Sequence, residues 1–364
     1  MNLKVLCTNC GRPYPEEGVP YRCRCGGVFD YAEPFRFDPQ EVEPDHRGVW
    51  RYRAFFGLPA SAKPITLGEG NTPLLSLEAF GKRIYLKNEF IQPTGSFKDR
   101  GMTTLVTFLK TRGVTMAVED SSGNAGASFA AYAARAGIRA RIFVPQDAAG
   151  PKRMQIEALG AEVVTVPGAR SRAAEMAQAA AEAGIPYASH AWLPFNLPGY
   201  ATLAYELVEQ LGEAPGSVIV PVGQGGLMLG MARGFRALHS CGKISRLPRL
   251  IGVQAQACAP LVAVRRFGPL AVQWVRENPT LAEGVRVRVP LRGEKVLQAI
   301  QESDGEILAI AEEEILPARD ALAQRGIHVE PTSALVWAAL AQLVQTLPEP
   351  IVLILTGAGF KVRF

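Results

Sequence analysis

The chain has 364 residues, of which 48% are hydrophobic and 20% are charged, and its formal net charge is +5. These values are typical of a globular enzyme that is large enough for two domains. The mild, scattered positive charge argues against a nucleic-acid partner, which requires a concentrated basic face. No signal pattern begins the sequence and no apolar stretch is long enough to span a bilayer, so we expect a cytoplasmic protein without a membrane partner.

The first 35 residues contain four of the six cysteines, in the stretch CTNCGRPYPEEGVPYRCRCGG. Four thiolates in C-x2-C and C-x-C pairs can hold one zinc ion tetrahedrally. Such a closed site leaves no open position for catalysis, so we predict a structural zinc; a reduced, metal-free knuckle is the alternative. Cys241 and Cys258 are expected to be buried packing residues. The predicted zinc ligands are Cys7, Cys10, Cys23 and Cys25.

From Gly81 onward, short β-branched runs alternate with alanine-rich helical patterns. This alternation predicts an α/β fold of open, twisted, mostly parallel sheets with helices on both faces. Several strands run directly into glycine-rich turns, and ligands of such sheets bind at the carboxyl ends of strands. The predicted strands are 83–90, 115–120, 139–145, 161–167, 217–223, 249–255 and 350–357. The predicted helices are 98–112, 125–136, 151–159, 171–183, 200–211, 227–239 and 333–346.

The stretch PTGSFKDR (93–100) contains a lysine, Lys98, in the first turn of a predicted helix. Ser96 is a good N-cap and Asp99 completes a loose capping box, which puts Lys98 at the second helical position. The helix dipole disfavours an ammonium group at this end. Either Lys98 is a surface lysine that tolerates a small penalty, or its surroundings keep its amine neutral.

The stretch SVIVPVGQGGLMLG (217–230) has the features of a phosphate-binding turn. Gly223, Gly225 and Gly226 would let backbone N–H groups approach an anion at the start of a helix. Met228 stands where a dinucleotide fingerprint requires glycine. A plain strand-to-helix turn is the alternative.

Polar residues follow two other predicted strands. In EDSSGNAGAS (119–128), Ser121, Ser122 and Asn124 either bind a ligand or cap the next helix. Thr356 could hydrogen-bond a ring nitrogen, or it could cap a turn. A reactive amine, a phosphate cradle and a partner for a ring nitrogen are together what pyridoxal 5′-phosphate requires.

The chain resembles threonine synthase and its relatives, which are fold type II pyridoxal-phosphate enzymes of the tryptophan synthase β-like group. The resemblance covers nearly the whole chain in the expected order, and PTGSFKDRG is a highly specific motif. The similar stretches are GEGNTPL (68–74), PTGSFKDRG (93–101), SSGNAGAS (121–128), PVGQGG (221–226), EPTSA (330–334) and TGAGFK (356–361).

The resemblance implies a role for each matching residue. Lys98 would form the Schiff base with the cofactor and then serve as the base at Cα. Thr356 would hydrogen-bond the pyridine nitrogen, and Asn124 would meet the ring hydroxyl. The substrate carboxylate would lie against Ser121, Ser122 and Gly123. The cofactor phosphate would be held by the backbone amides of Gly223, Gln224, Gly225, Gly226 and Leu227.

The resemblance also implies domains and an assembly. The segment 1–35 would be zinc-ribbon-like, as in many relatives. Residues 36–92 and 193–364 would form a large cofactor-binding α/β domain, and residues 93–192 a small α/β domain. Relatives are usually homodimers, so we expect a homodimer that acts on a small amino-acid substrate.

The sequence departs from the threonine synthase pattern in LPFNLPGYAT (193–202). Leu193 stands where the family segment NPxRxxGxKT has asparagine, and Asn196 where it has arginine. Loss of the arginine removes a bidentate phosphate ligand. Cations elsewhere could replace it, and the candidates are Lys152, Arg153, Arg170 and Arg172.

Two stretches also resemble threonine and serine dehydratases. They are LPFNLP (193–198) and TLAEGVRV (280–287), whose Glu283 would lie either near the cofactor or on the surface. The leading prediction is a pyridoxal-phosphate-dependent carbon–oxygen lyase that converts O-phosphohomoserine to threonine and phosphate by elimination and water addition. The alternatives are a threonine/serine dehydratase (ammonia-lyase) and a β-replacement synthase that acts on an activated serine.

Overall fold

The computed structural model describes residues 3–148, 150–168 and 170–362. None of the helices in these ranges has the length and hydrophobicity of a membrane span. The strands are β1 (Val5–Cys7), β2 (Phe29–Tyr31), β3 (Leu74–Ala79), β4 (Lys82–Lys87), β5 (Met116–Glu119), β6 (Arg139–Pro145), β7 (Glu162–Val166), β8 (Ser217–Pro221), β9 (Arg249–Ala255), β10 (Glu306–Ile310) and β11 (Ile351–Ile354). The α-helices are α1 (Lys98–Thr111), α2 (Asn124–Ala136), α3 (Pro151–Ala158), α4 (Arg170–Glu182), α5 (Leu197–Leu211), α6 (Gly226–Ser240), α7 (Pro260–Phe267), α8 (Gly293–Glu302), α9 (Glu312–Ala323) and α10 (Pro331–Leu343).

The first compact unit consists of the described residues of 1–70, 98–199 and 361–364. Its main sheet has three parallel strands in the order β5-β6-β7, and α2 and α4 pack on the central strand β6. The short strands β1 and β2 pair antiparallel in the N-terminal segment. The crossovers between the parallel strands are helical, as the alternation in the sequence predicts.

A short extension continues the three-stranded sheet beyond β5. Val118 and Tyr187 form an isolated parallel bridge. Val118 N–H donates to Pro186 O (2.9 Å), and Ala188 N–H donates to Val118 O (2.8 Å). Residues that follow β5 and residues that follow Ala188 therefore emerge at the same carboxyl edge of this sheet.

The second compact unit consists of residues 71–97 and 200–360. Its six-stranded sheet has the order β10-β9-β8-β11-β4-β3 and is parallel except for β3, which pairs antiparallel with β4. Every residue of β8 and β11 is buried, and α10 packs against this sheet. Continuous apolar strands of this kind are found where helices cover both faces.

The predicted α/β fold with two mostly parallel sheets is confirmed, and each predicted strand and helix overlaps an observed one. The edge strands β3 and β10 were not predicted, nor were β1, β2 and the helices α7, α8 and α9. In the six-stranded sheet the missed strands lie at the two edges, where they are only partly buried. Partly exposed strands lack the continuous apolar run by which the central strands were identified.

The segment 36–70 belongs to the first unit because it is hydrogen-bonded to that unit's helices. Trp50 Nε1 donates to Glu69 Oε1 (3.1 Å) and to Thr103 Oγ1 on α1 (2.9 Å). Tyr132 OH on α2 donates to Glu69 Oε2 (2.6 Å). The predicted domain boundaries are not the boundaries of the two compact units, and the domain division stays a prediction.

Candidate active site and metal centre

Lys98 is half-buried and is the first residue of α1. The prediction that Ser96 caps this helix is wrong. Ser96 pairs with Gly357 in an isolated β-bridge, and its buried hydroxyl has no hydrogen-bond partner among the described residues. Asp99, the other member of the expected capping box, accepts a hydrogen bond from Ser128 Oγ (2.6 Å). Lys98 thus remains at the positive end of the helix, one position earlier than predicted.

The residues immediately before Lys98 run beside the segment that contains Thr356. Phe97 N–H donates to Thr356 O (3.0 Å), and Ala358 N–H donates to Gly95 O (3.0 Å). These bonds lie within the second unit, and the chain enters the first unit at the Phe97–Lys98 peptide bond. Lys98, the predicted cofactor-linking lysine, is therefore the residue directly after Phe97. The backbone of Phe97 is hydrogen-bonded to Thr356, the predicted partner of the ring nitrogen.

The serine loop, residues 121–124, follows β5 and ends at the first residue of α2. Ser121 N–H donates a short hydrogen bond to Glu119 Oε2, and Gly123 N–H donates to Ser121 Oγ (3.2 Å). A Cβ at Gly126 would overlap Ser121 O, so only glycine allows this approach. The N-cap of α2 is Gly123, without a side-chain hydrogen bond, so the capping alternative for this loop is wrong.

Glu119, the last residue of β5, forms a buried pair with His190 that the sequence analysis did not identify. Glu119 Oε1 lies 2.8 Å from His190 Nδ1. Burial raises the pKa of Glu119 to about 7, although the Ser121 N–H and the positive charges of Arg170 and Lys98 act in the opposite direction. Burial lowers the pKa of His190 well below its usual range, and the charge of Lys98 lowers it further. At neutral pH the imidazole is therefore neutral, and Glu119 is partly protonated.

A second buried carboxyl group lies next to this pair. Asp120 Oδ1 accepts a hydrogen bond from Tyr187 OH (2.7 Å). Burial raises the pKa of Asp120, and the neighbouring Glu119 carboxylate raises it further. The sequence did contain a signal for these residues, because two acids directly after an apolar strand have to be desolvated or paired.

The glycine loop, residues 223–227, runs from the end of β8 into the first two residues of α6. Gly225 has φ +81°, and a Cβ there would overlap Val296 Cγ2. The helix begins at Gly226, and Leu229 N–H donates back to Gly225 O (2.9 Å). The N–H groups that precede Leu229 have no acceptor within the helix, so they are donors for an anion at its positive end.

The other residues of the glycine loop are fixed by the chain around them. A Cβ at Gly223 would lie 2.7 Å from Gly284 O, so glycine is required there as well. Gln224 Oε1 accepts a hydrogen bond from Leu291 N–H (3.3 Å). Leu227 is buried. The loop therefore keeps one backbone conformation, which is what binding through backbone amides requires.

Thr356 follows β11, and its side chain is hydrogen-bonded to Ser333 on α10. The two hydroxyl oxygens are 3.0 Å apart, and Gly357 N–H donates to Ser333 Oγ (2.8 Å). Ser333 already accepts from Gly357 N–H, and its own hydrogen has two acceptors in reach, Gly357 O (3.3 Å) and Thr356 Oγ1 (3.0 Å), of which the contact to Thr356 is the shorter. The Thr356 hydrogen is then free to point at an acceptor such as an unprotonated ring nitrogen.

The structure brings the glycine loop and Thr356 to the same edge of one sheet. The loop follows β8 and Thr356 follows β11, and these two strands are parallel neighbours. The donors at this edge are backbone amides at a helix start and a buried hydroxyl group. This donor set fits the phosphate and the ring nitrogen of pyridoxal phosphate, and the glycine positions leave the amides uncovered by side chains.

The four N-terminal cysteines lie together in the first unit. Their sulfur atoms are all within 4.8 Å of one another. The Sγ–Sγ distances are 3.4 Å for Cys7–Cys25, 3.5 Å for Cys10–Cys25 and 3.7 Å for Cys10–Cys23. A tetrahedral zinc with bonds of about 2.3 Å would space its sulfurs about 3.8 Å apart, so the cluster fits this ion.

The two remaining cysteines were both expected to be buried. Cys258 is fully buried, as predicted. For Cys241 the prediction is wrong, because this residue is exposed where α6 ends.

Leu193 and Asn196, the positions that depart from the threonine synthase pattern, are both buried. Asn196 Nδ2 donates to His190 O (2.7 Å), so its amide group anchors the backbone of the segment that carries His190. Leu193 has no polar side-chain atom. Neither residue replaces the phosphate-binding pair of the family.

The cations named as substitutes differ in their surroundings. Arg153 pairs with Glu157 (2.9 Å), and Arg172 pairs with Glu175 (2.6 Å), each on its own helix. Arg170, the exposed first residue of α4, lies close enough to Glu119 to lower the pKa of that carboxyl group. Of these three, Arg170 is the one whose positive charge lowers the pKa of carboxyl groups at the carboxyl edge of the three-stranded sheet.

The chain belongs to the family of pyridoxal-phosphate-dependent enzymes. The family model described as "Pyridoxal-phosphate dependent enzyme" matches residues 65–357, a range that contains every residue predicted to bind the cofactor. The resemblance drawn from the motifs, the enzyme class and the cofactor are therefore confirmed.

Several relatives have names that specify a reaction within this family. The threonine synthase of Methanocaldococcus jannaschii is 36% identical, with 98% of this chain and 92% of that protein covered. The threonine synthase of Mycobacterium leprae is 37% identical, with 82% and 84% covered. Among solved structures, a threonine deaminase from T.th. is 31% identical with a TM-score of 0.68, covering 80% of this chain and 93% of that one.

Proposed function

We propose that this protein is a threonine synthase, which converts O-phosphohomoserine and water to threonine and inorganic phosphate. The observation that carries the proposal is the 36% identity to a threonine synthase over 98% of the chain. The site geometry supports it, because the residues assigned to the cofactor and to the substrate all lie at helix starts or at carboxyl ends of parallel strands.

Each group at the site has a role in this proposal. When bound, pyridoxal phosphate withdraws electrons from the substrate's Cα and so acidifies the Cα–H bond. Lys98 Nζ supplies the amine that carries the cofactor, and it then takes the Cα proton. The serine loop binds the substrate carboxylate at the positive end of α2, and Asn124 at its end meets the cofactor ring. The glycine loop and Thr356 hold the phosphate and the ring nitrogen.

The substrate's phosphate group requires a cation, and we propose that Arg170 supplies it. Arg170 is exposed, lies at the start of α4, and acts electrostatically on Glu119 and Asp120. We expect Arg170→Ala to raise the KM for O-phosphohomoserine about tenfold or more, because a charge-assisted hydrogen bond is lost. Arg172→Ala, which removes an arginine paired with Glu175, is the matched control and leaves KM unchanged.

A threonine or serine dehydratase is the second candidate, and a specific observation favours it. The buried Leu193 and Asn196 occupy the positions of the family's phosphate-binding residues. The threonine deaminase from T.th. also has a similar fold at 31% identity. A dehydratase would release ammonia and a 2-oxo acid from threonine or serine and would have no need of a phosphate site.

The deciding experiment follows three products from the purified, cofactor-loaded protein. O-phosphohomoserine is expected to yield phosphate and threonine in equal amounts. Phosphate without threonine, or 2-oxobutanoate from threonine at a higher kcat/KM, would overturn the assignment in favour of a lyase without the water-addition step. O-phosphoserine with an added thiol tests the β-replacement alternative in the same assay.

We also propose that the cysteine cluster binds a structural zinc ion. The sulfur spacing supports this, and one zinc per chain is expected on metal analysis, falling to none in Cys7→Ser. A metal-free protein of unchanged stability would contradict the proposal. A zinc-ribbon-like fold for residues 1–35, a homodimer and a cytoplasmic location rest on the resemblance and the sequence alone; light scattering on the purified protein tests the dimer.

A further inference from the structure

The Glu119–His190 pair lies at the carboxyl edge of the three-stranded sheet, where ligands of parallel sheets bind. Glu119 ends β5, and His190 follows the extension that pairs with β5 through Val118 and Tyr187. The serine loop begins two residues after Glu119. The Glu119 side chain is fully buried, whereas 12% of the His190 side chain remains exposed. The pair thus joins a fully buried carboxyl group to a partly exposed imidazole.

The hydrogen bonds define how the pair holds its protons. Glu119 Oε2 accepts from Ser121 N–H, so this oxygen has the role of a carbonyl oxygen. Glu119 Oε1 faces His190 Nδ1, so a proton on Oε1 is donated to that nitrogen. A neutral imidazole with Nδ1 as acceptor carries its hydrogen on Nε2. The Nε2 end of the pair is then a hydrogen-bond donor.

The charges around the pair agree with this arrangement at neutral pH. Lys98 on α1 and Arg170 on α4 face Glu119 and His190, and Asp120 lies beside them with its carboxyl group bonded to Tyr187. Burial raises the pKa of Glu119 to about 7 despite the two cations. Burial and Lys98 together lower the pKa of His190 well below its usual range. A protonated carboxyl group beside a neutral imidazole is therefore substantially populated near neutrality.

Release of the phosphate requires a proton at the leaving oxygen. Phosphate that departs from a monoester dianion carries a third negative charge unless its oxygen is protonated as the carbon–oxygen bond breaks. Lys98 takes up the Cα proton, and Arg170 has no proton to give near neutral pH. A group at this sheet edge whose pKa lies near neutrality is suited to protonate the leaving oxygen.

We propose that Glu119 and His190 form a proton relay that protonates the leaving group. In this step, which rests on the proposed function, His190 Nε2 gives its proton to the oxygen that joins the leaving group to carbon. The carbon–oxygen bond breaks as a Cβ–H bond gives its electron pair to the new Cβ–Cγ double bond. The Cβ proton goes to Lys98 and is returned later to Cγ, and the electron pair of the broken bond stays on the leaving oxygen. His190 Nδ1 takes the Glu119 proton at the same time, so the imidazole stays neutral and Glu119 becomes a carboxylate. Glu119 regains its proton from water before the next turnover.

The variant Glu119→Gln separates a relay from a structural role. Glutamine keeps both contacts, because its oxygen accepts from Ser121 N–H and its NH₂ group donates to His190 Nδ1, but it has no proton to transfer. With O-phosphohomoserine we expect kcat to fall about 100-fold or more. With 2-amino-4-chlorobutanoate, whose chloride leaves without a proton, kcat is expected to stay within about threefold of wild type. An equal loss on both substrates, or no loss on either, would overturn the relay.

Two further measurements test the relay independently of the proposed function. Asp120→Asn is the control, because it changes the neighbouring buried carboxyl group, and it should leave the ratio of the two substrate rates unchanged. Infrared difference spectra should contain the C=O band of a protonated carboxyl group that titrates near pH 7 and is absent in Glu119→Gln. Absence of this band in wild type would overturn the relay. Failure to release phosphate from O-phosphohomoserine would instead overturn the proposed function, and the infrared result would stand independently of it.

Discussion

The two compact units contribute different chemistry. The first unit carries the titratable groups, Lys98, Glu119 and His190, within electrostatic reach of one another. The second unit offers neutral donors, namely the amides of the glycine loop and the Ser333–Thr356 hydroxyl pair. Proton transfer requires groups whose pKa is adjusted by burial, whereas a phosphate and a ring nitrogen are held best by dipoles fixed in place. Each unit has the residue types that suit one of these tasks.

The second unit also buries charge, and one buried pair there is a hydrogen-bonded ion pair. Lys87 Nζ lies 2.9 Å from Glu206 Oε2 and also donates to Thr72 O (2.7 Å) and Gln210 Oε1 (2.8 Å). Glu206 Oε1 accepts from Asn71 N–H (2.8 Å). A satisfied ion pair of this kind fixes the backbone of the GEGNTPL stretch. The contrast with Glu119 is that Glu119 faces a neutral histidine and not a bonded cation.

The largest expected effect comes from Lys98→Ala, which tests whether the reactive amine belongs to the first unit. We expect the visible absorption band of the bound cofactor to disappear and kcat to fall by about 10⁴-fold or more, because both the linking amine and the Cα base are lost. Lys110→Ala, an exposed lysine in the last turn of the same helix, should change neither. A retained band in Lys98→Ala would mean that another lysine carries the cofactor.

The next effect tests the fixed conformation of the glycine loop. In Gly225→Ala the backbone at φ +81° is strained and the new Cβ meets Val296, so we expect stability to fall by about 2–4 kcal/mol and cofactor affinity to fall with it. Gly212→Ala has a similar φ of +76° but open space around the Cβ, and about 1 kcal/mol is expected. Thermal unfolding and cofactor titration measure both variants. Equal losses in the two variants would show that strain alone, without the Val296 contact, explains the result.

Buried Glu119 is expected to make the stability of the first unit depend on pH. Its folded-state pKa of about 7 lies above the usual 4.5, so the folded protein binds more protons between these values. The free energy of unfolding therefore falls as pH rises through this window, by about 3 kcal/mol. Glu119→Gln should remove this part of the pH dependence, while the exposed Glu213→Gln should retain it. Denaturant unfolding at pH 5 and pH 8 would contradict the expectation if wild type and Glu119→Gln changed in parallel.

The smallest expected effect concerns the hydroxyl pair of the second unit. Ser333→Ala removes the donor that orients Thr356, and we expect cofactor affinity to fall about fivefold, or about 1 kcal/mol, for one hydrogen bond. The emission spectrum of the bound cofactor should also shift, because the hydrogen bond to its ring nitrogen changes. Ser240→Ala, at the exposed end of α6, is the control. Unchanged cofactor affinity and emission in Ser333→Ala would show that Ser333 does not orient Thr356 toward the cofactor.

Much of the fold could be predicted because its signals are local. Strands such as β8 and β11 are continuous apolar runs that end in glycine-rich turns, and helices such as α2 are alanine-rich. The edge strands β3 and β10 escaped prediction because exposure interrupts their apolar pattern. The cap at Ser96 was wrong because this residue pairs across the sequence with Gly357, and no local rule for helix starts includes a partner so distant.

The sequence by itself determined the family, the cofactor and the candidate residues Lys98 and Thr356, because the cofactor's chemistry requires particular residue types in short, contiguous motifs. Only the tertiary structure brought together Glu119 and His190, which are 71 residues apart in the chain. Burial and the charges of Lys98 and Arg170 act through space, so the pKa values of this pair depend on which chain segments the sheet brings together.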